Sequence, residues 1–159
     1  MFKTIFYLII LIILSIENGI ASDGVIRFLD SKSEDYAAMS KTIWSLAELG
    51  YQEKETSKIM QSHLNQENFS IDYGVAEIPT AFIASYGSGK PIIAILAEMD
   101  ALPGLSQDAK PERKIIKEGM PGHACGHHLF GAGSIAAAVA VKKWLIQTGT
   151  IGTIRLYGT

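Results

Sequence analysis

Apolar residues fall in blocks whose period changes along the chain. Tyr36, Met39, Ile43 and Ala47 recur at helical spacing after a capping-box pattern, Ser31-Lys32-Ser33-Glu34. This predicts a helix that Gly50 stops. A second helix is predicted over Glu55 to Asn68, with Ile59, Met60 and His63 on or near one side. His63 reads there as a solvated or half-buried position. Phe69 to Tyr73 and Thr80 to Tyr86 read as strands, and Gly87-Ser88-Gly89 as a turn into a strand from Ile92. A polar loop spans 104 to 122. An alanine-rich helix follows from about Leu129 to Gln147, and Thr150 to Tyr157 returns as a strand. Helices alternating with strands favour a layered, largely parallel sheet, the α/β class.

The first residues follow a different pattern. Met1-Phe2-Lys3 is a short basic start, Thr4 to Ile16 is almost wholly apolar, and Gly19-Ile20-Ala21 offers small residues for cleavage. That is the pattern of a signal peptide over residues 1 to 21. The run is short of the roughly twenty apolar residues of a membrane span. The expectation is a secreted or periplasmic protein with no stable membrane association once the signal is removed. Residues 22 to 159 are enough for one domain core. Asn68-Phe69-Ser70 would be a glycosylation acceptor in a eukaryotic secretory host.

Charge narrows the choices further. The formal net charge is −2, so no concentrated basic face argues for nucleic acid. The cluster Lys110, Arg113, Lys114 and Lys117 reads as solvated surface. One cysteine, Cys125, cannot form an internal disulfide. Gly87-Ser88-Gly89-Lys90 is not a phosphate loop, because Ala84 stands where the first glycine belongs and Pro91 follows the lysine.

The chemistry concentrates in residues 119 to 131, Gly-Met-Pro-Gly-His-Ala-Cys-Gly-His-His-Leu-Phe-Gly. Cys125 lies two residues from His127, and His123, His127 and His128 fall close together at a loop-to-helix junction. Thiolate and imidazole suit a borderline-soft divalent ion. A lone Cys-x-His pair is not a complete metal site, since even catalytic zinc takes three protein ligands. From this segment alone three readings stand: metal ligation, a cysteine nucleophile activated by histidine, and a packed turn without chemistry. Upstream, the apolar run Ile92 to Leu96 leads into Ala97-Glu98-Met99-Asp100-Ala101-Leu102-Pro103-Gly104. A buried strand ending in two carboxylates places them at the sheet edge where sites gather.

With both segments in this order, the chain resembles the M20 family of metallopeptidases and amidohydrolases, in its aminobenzoyl-glutamate hydrolase-like branch. Phe82 to Pro91 and Ala140-Val141-Lys142-Lys143-Trp144-Leu145 add to the likeness, which runs from about residue 34 onward. The resemblance implies a three-layer α/β/α zinc-peptidase-like catalytic domain, of which residues 22 to 159 would be the N-terminal part. It implies Cys125 and His127 as metal ligands and Asp100 as a residue that orients a ligand beside the metal. His123, His128 and Glu98 are further candidates. His123 is expected to be structural, and His128 stands where relatives often carry aspartate or asparagine.

The family's Pro-Ala-Glu-Glu step, with its general base and a further ligand, does not occur in this sequence, nor do its later histidines or the lid and dimerisation domain. The resemblance further implies zinc or manganese, two ions in the complete enzyme, a small-molecule amide substrate and a homodimer. This chain alone is expected to be inactive. Two rival readings are a thiol hydrolase using Cys125 with His127 or His128, and a non-catalytic secreted remnant of the fold. Gly131-Ala132-Gly133-Ser134 is read as close helix-to-sheet packing.

Overall fold

The computed structural model describes Tyr7 and residues 23 to 159. The expected signal peptide therefore lies, but for Tyr7, outside the described residues. Helix α1 (Ser33–Leu46) and helix α2 (Lys54–Gln66) precede strand β1 (Ser70–Tyr73). Strands β2 (Phe82–Ser88) and β3 (Ile92–Ala97) follow, then the long helix α3 (His127–Thr148) and strand β4 (Gly152–Gly158). The sheet order is β1-β2-β4-β3.

Element types match the sequence pattern, with boundaries shifted by a few residues. The largely parallel sheet does not form. Only β3 and β4 pair in parallel, Ile93 opposite Ile154 and Ile95 opposite Leu156. β1 with β2 and β2 with β4 run antiparallel. The reason is connectivity. Only β3 and β4 are joined by a long helical crossover, α3, which parallel neighbours require. β2 runs on through Gly87 and Ser88, both read as turn from the sequence.

The capping box is not used either. Residues 23 to 31 are themselves helical, so the serines lie on a continuing coil. Ser31 and Ser33 donate their hydroxyls back to the carbonyls of Phe28 and Asp30. α1 stops at Ala47, which turns left-handed at φ 44, before Gly50 is reached.

One core joins the helices to one face of the sheet. Ile43 of α1, Met60 and Leu64 of α2, and Ile135 and Val139 of α3 pack on Phe82, Ala84, Ile154 and Leu156. Each large aliphatic side chain so buried contributes about 1.5–3 kcal/mol. Alternation in β4 sends Ile154 and Leu156 inward and leaves Thr153, Arg155 and Tyr157 half-buried on the other face. The described residues thus supply two layers of the α/β domain, the sheet and the helices on one side.

α3 is long and apolar enough to cross a bilayer, yet close to half of it is buried within the protein. Its apolarity serves the core. Gly131 lets it approach the sheet: a Cβ there would lie 2.9 Å from the Glu98 carbonyl oxygen. One turn on, Ser134 donates its hydroxyl to the Leu96 carbonyl at 2.6 Å. The small-residue run is the packing contact that the sequence suggested.

Candidate metal centre

The parallel pair β3–β4 sets the position of the carboxylates. Beyond Ala97 the ladder continues, with the Thr159 N–H donating to the Ala97 carbonyl and the Met99 N–H to the Thr159 carbonyl. Backbone held extended puts residues i and i+2 on one side. Met99 therefore enters the core, 1% exposed, while Glu98 and Asp100 stay half-buried on the opposite side. The Ala101 N–H then donates to the Glu48 carbonyl at 2.7 Å, which fixes the exit of the strand.

The other half of the site is the entry into α3. Gly126 caps the helix at φ 92, a left-handed conformation that favours glycine. Cys125, exposed and free, lies just before it, and His127 opens the first turn. His127 reaches both carboxylates. Its Nδ1 lies 2.6 Å from Asp100 Oδ1 and its Nε2 lies 2.6 Å from Glu98 Oε2. An imidazole can donate from both nitrogens only when it carries both protons. The ring is thus clamped between two carboxyl groups, and a cation bound at Nε2 would take the place of the Glu98 contact.

The remaining histidines take other places. His123 is buried, and its Nε2 contacts the Ile43 carbonyl at 3.1 Å, tying the loop to α1. His128 is buried against Trp44, ring centroids 4.8 Å apart, and against His123 at 5.0 Å. Burial pulls both pKa values below the ordinary histidine value, and the neighbouring His123 adds to the effect at His128. His63 is half-buried on α2, edge-on to Tyr36.

The sequence pointed to Glu98 only as a possible ligand. Its i, i+2 relation to Asp100 was the available signal. The role of α1 and of the residues just after it was not legible, because Ile43 and Glu48 act through backbone carbonyls that any residue provides.

The donor types suit a divalent metal, though not as a closed site. Imidazole, carboxylate and thiol are present, and Asp100 orients the ring as outer carboxylates do for metal-bound histidines. Among the described residues, however, no three of histidine, cysteine, aspartate and glutamate converge to hold an ion. The thiol-nucleophile reading is weakened by the same geometry, since both nitrogens of His127 are already engaged by carboxylates.

A mixed sheet backed by helices, with this site at the end of its parallel pair, defines an α/β domain of the metal-dependent peptidase type. No protein-family model matches the chain. It is 43% identical over 139 residues to one subunit of the p-aminobenzoyl-glutamate hydrolase of Escherichia coli, covering 84% of this chain and 29% of that protein. It is 29% identical over 127 residues to the human Xaa-Arg dipeptidase, covering 72% of this chain and 26% of the relative.

Among solved structures, it superposes with a TM-score of 0.67 and 29% identity on the Bacillus subtilis YXEP protein, described as a dinuclear metal-binding peptidase from the M20 family. That match covers 81% of this chain and 35% of the other. The chain belongs to the M20 family. It spans about a third or less of the length of these relatives.

Proposed function

We propose that this chain contributes part of the active site of a metal-dependent amidohydrolase that cleaves amide bonds in N-acyl amino acids, aminobenzoyl-glutamate-like or dipeptide-like substrates. The observation that carries the reading is His127 clamped by Asp100 and Glu98 two residues after Cys125. The similarity to the aminobenzoyl-glutamate hydrolase supports the substrate class.

Cys125 and His127 would hold a divalent ion, with Glu98 beside them. Zinc or manganese fits these donors, and the dinuclear relative supports two ions in a complete site. When bound, such a metal lowers the pKa of water and polarises a carbonyl. The chain's own residues have separate tasks. Asp100 accepts from Nδ1–H and so presents Nε2. Gly126 turns the backbone left-handed between Cys125 and His127, at the start of α3. His123 anchors the turn to α1. Among the described residues, only Glu98 and Asp100 bring carboxylates to this ring, so the chain alone should bind metal weakly and show no turnover. Export through the apolar N-terminal segment and a homodimeric complete enzyme belong to the same reading, supported by the sequence pattern and the family resemblance.

Cobalt titration of the purified chain tests the proposal. A thiolate-to-cobalt charge-transfer band is expected, absent in Cys125→Ser and weakened in His127→Gln. A band that survives Cys125→Ser unchanged removes Cys125 from the ligands. Absence of any cobalt binding would favour the non-catalytic remnant.

A further inference from the structure

The turn that ends α2 holds an asparagine where the backbone needs none. Asn68 is left-handed, at φ 60. Its N–H donates to the Asn65 carbonyl at 2.8 Å, and the Phe69 N–H reaches back to the Leu64 carbonyl at 3.0 Å. These two bonds form a Schellman stop, whose left-handed position glycine usually fills. Its apolar contact is also present, since Phe69 and Leu64 share the core. The motif therefore asks only for a residue that tolerates positive φ, and main-chain bonds hold it closed.

Asn68 and Ser70 are exposed, while Phe69 between them is buried. Asn68-Phe69-Ser70 has the spacing of an N-glycan acceptor. The other asparagines lack it: Ile20 follows two residues after Asn18, and Glu67 two after Asn65.

The position is remote from the candidate metal centre. Ser70 pairs with Ser85, Ser85 with Arg155 and Arg155 with Ala94. Ser70 is thus level with a residue four before Glu98, about 13 Å along the strands, and three strand spacings away, about 14 Å. A sugar on this turn leaves the centre open. It would instead stand beside β1, one margin of the sheet. Such margins present unpaired backbone to other chains.

We propose that Asn68 carries an N-linked oligosaccharide when the chain enters a eukaryotic secretory pathway, and that the sugar shields the β1 margin; this rests on the export reading given above. The donor is a lipid pyrophosphate-linked oligosaccharide. Asn68 Nδ2 forms a bond to the anomeric carbon, the bond from that carbon to the pyrophosphate oxygen breaks, and the lipid pyrophosphate leaves. The proton lost from Nδ2 passes to solvent. The Ser70 hydroxyl supplies recognition. Transfer acts on the extended chain, before Phe69 is buried, and the folded turn then keeps the sugar in solvent.

The test expresses the whole chain in insect cells, once with its own N-terminal segment and once behind a foreign secretion leader. An upward gel shift is expected in both, reversed by peptide N-glycosidase, with the Asn68 carboxamide converted to an acid in the mass spectrum. The shift should be lost in Asn68→Gly and Ser70→Ala and kept in Ser70→Thr. Asn68→Gly suits the left-handed turn, so its loss of the shift is not a loss of folding. Enzymatic removal of the sugar should raise light scattering. No shift behind the foreign leader, or a shift that survives Asn68→Gly, would overturn the site. Unchanged scattering would overturn the shielding. A shift only behind the foreign leader would uphold the site and overturn the export reading.

Discussion

His127 Nδ1 and Asp100 Oδ1 lie 2.6 Å apart, although 27 residues separate them along the chain. The contact joins the end of β3 to the first turn of α3, the crossover that makes β3 and β4 parallel. The same crossover brings Glu98 to the other nitrogen of the ring. One imidazole thus senses the position of both elements, and its orientation depends on their packing.

Asp100→Ala should weaken cobalt binding by about 10- to 100-fold, the usual loss when a carboxylate behind a metal-bound histidine is removed. Asp100→Asn keeps an acceptor for Nδ1–H and should lose less. The check is the midpoint of the cobalt titration. An Asp100→Ala midpoint equal to the parent's would show that the contact does not set the ring.

Gly131→Ala should destabilise the fold, because the new methyl carbon would sit 2.9 Å from the Glu98 carbonyl oxygen and 3.3 Å from the end of Met60. Overpacking of this kind costs about 1–3 kcal/mol. Gly133→Ala is the opposite case. Its Cβ meets nothing within 4 Å, and alanine in a helix interior gains about 0.5–1 kcal/mol over glycine. Urea midpoints should move in opposite directions. A shift of the same sign in both variants would contradict the packing argument.

Glu48 caps α2 from a distance. Its carboxylate accepts the N–H groups of Glu55 at 3.1 Å and Thr56 at 2.8 Å, in the first turn. Glu48→Ala should cost about 1–2 kcal/mol, the range for losing a helix cap, while Glu48→Gln retains an acceptor and should cost less. Chemical denaturation of the two variants separates the cap from the Glu48 backbone contact with Ala101, which neither substitution removes.

Acid should weaken the fold through His63. Burial depresses its pKa below 6.5, and the carboxylates of Glu67 and Asp35 only partly oppose this, with Lys32 acting alongside burial. Its Nε2 is buried without a partner. As pH falls through about 6.5, the unfolded chain therefore takes up a proton before the folded chain does. Stability is highest above that pH and falls below it, until the folded ring also titrates. The urea midpoint should be lower at about pH 5.5 than at about pH 7.5, and His63→Leu should narrow the difference. An equal pH dependence in that variant would exclude His63 as a source.

The sequence by itself pointed to most of the helices and strands, and to the segments proposed here to carry the chemistry. Periodicity is local: Tyr36 and Ile43 share a helix face wherever that helix is placed. Cys125 and His127 are brought near each other by a two-residue spacing and a glycine at φ 92. Asp100 follows an apolar strand and must emerge at its end. Tertiary structure decided the rest. The directions of β1 and β2, the loss of the capping box to helical residues 23 to 31, and the stop at Ala47 all depend on neighbours that local propensity does not contain. Glu98 became the second clamp on His127 only because Gly131 allows α3 to lie directly on the end of β3. His123 and His128 lie close to His127 in the sequence, yet packing against Ile43 and Trp44 buries them, and only His127 forms ion pairs with Glu98 and Asp100. Spacing fixes what a short segment can reach, whereas burial and long-range contact fix which of its side chains does so.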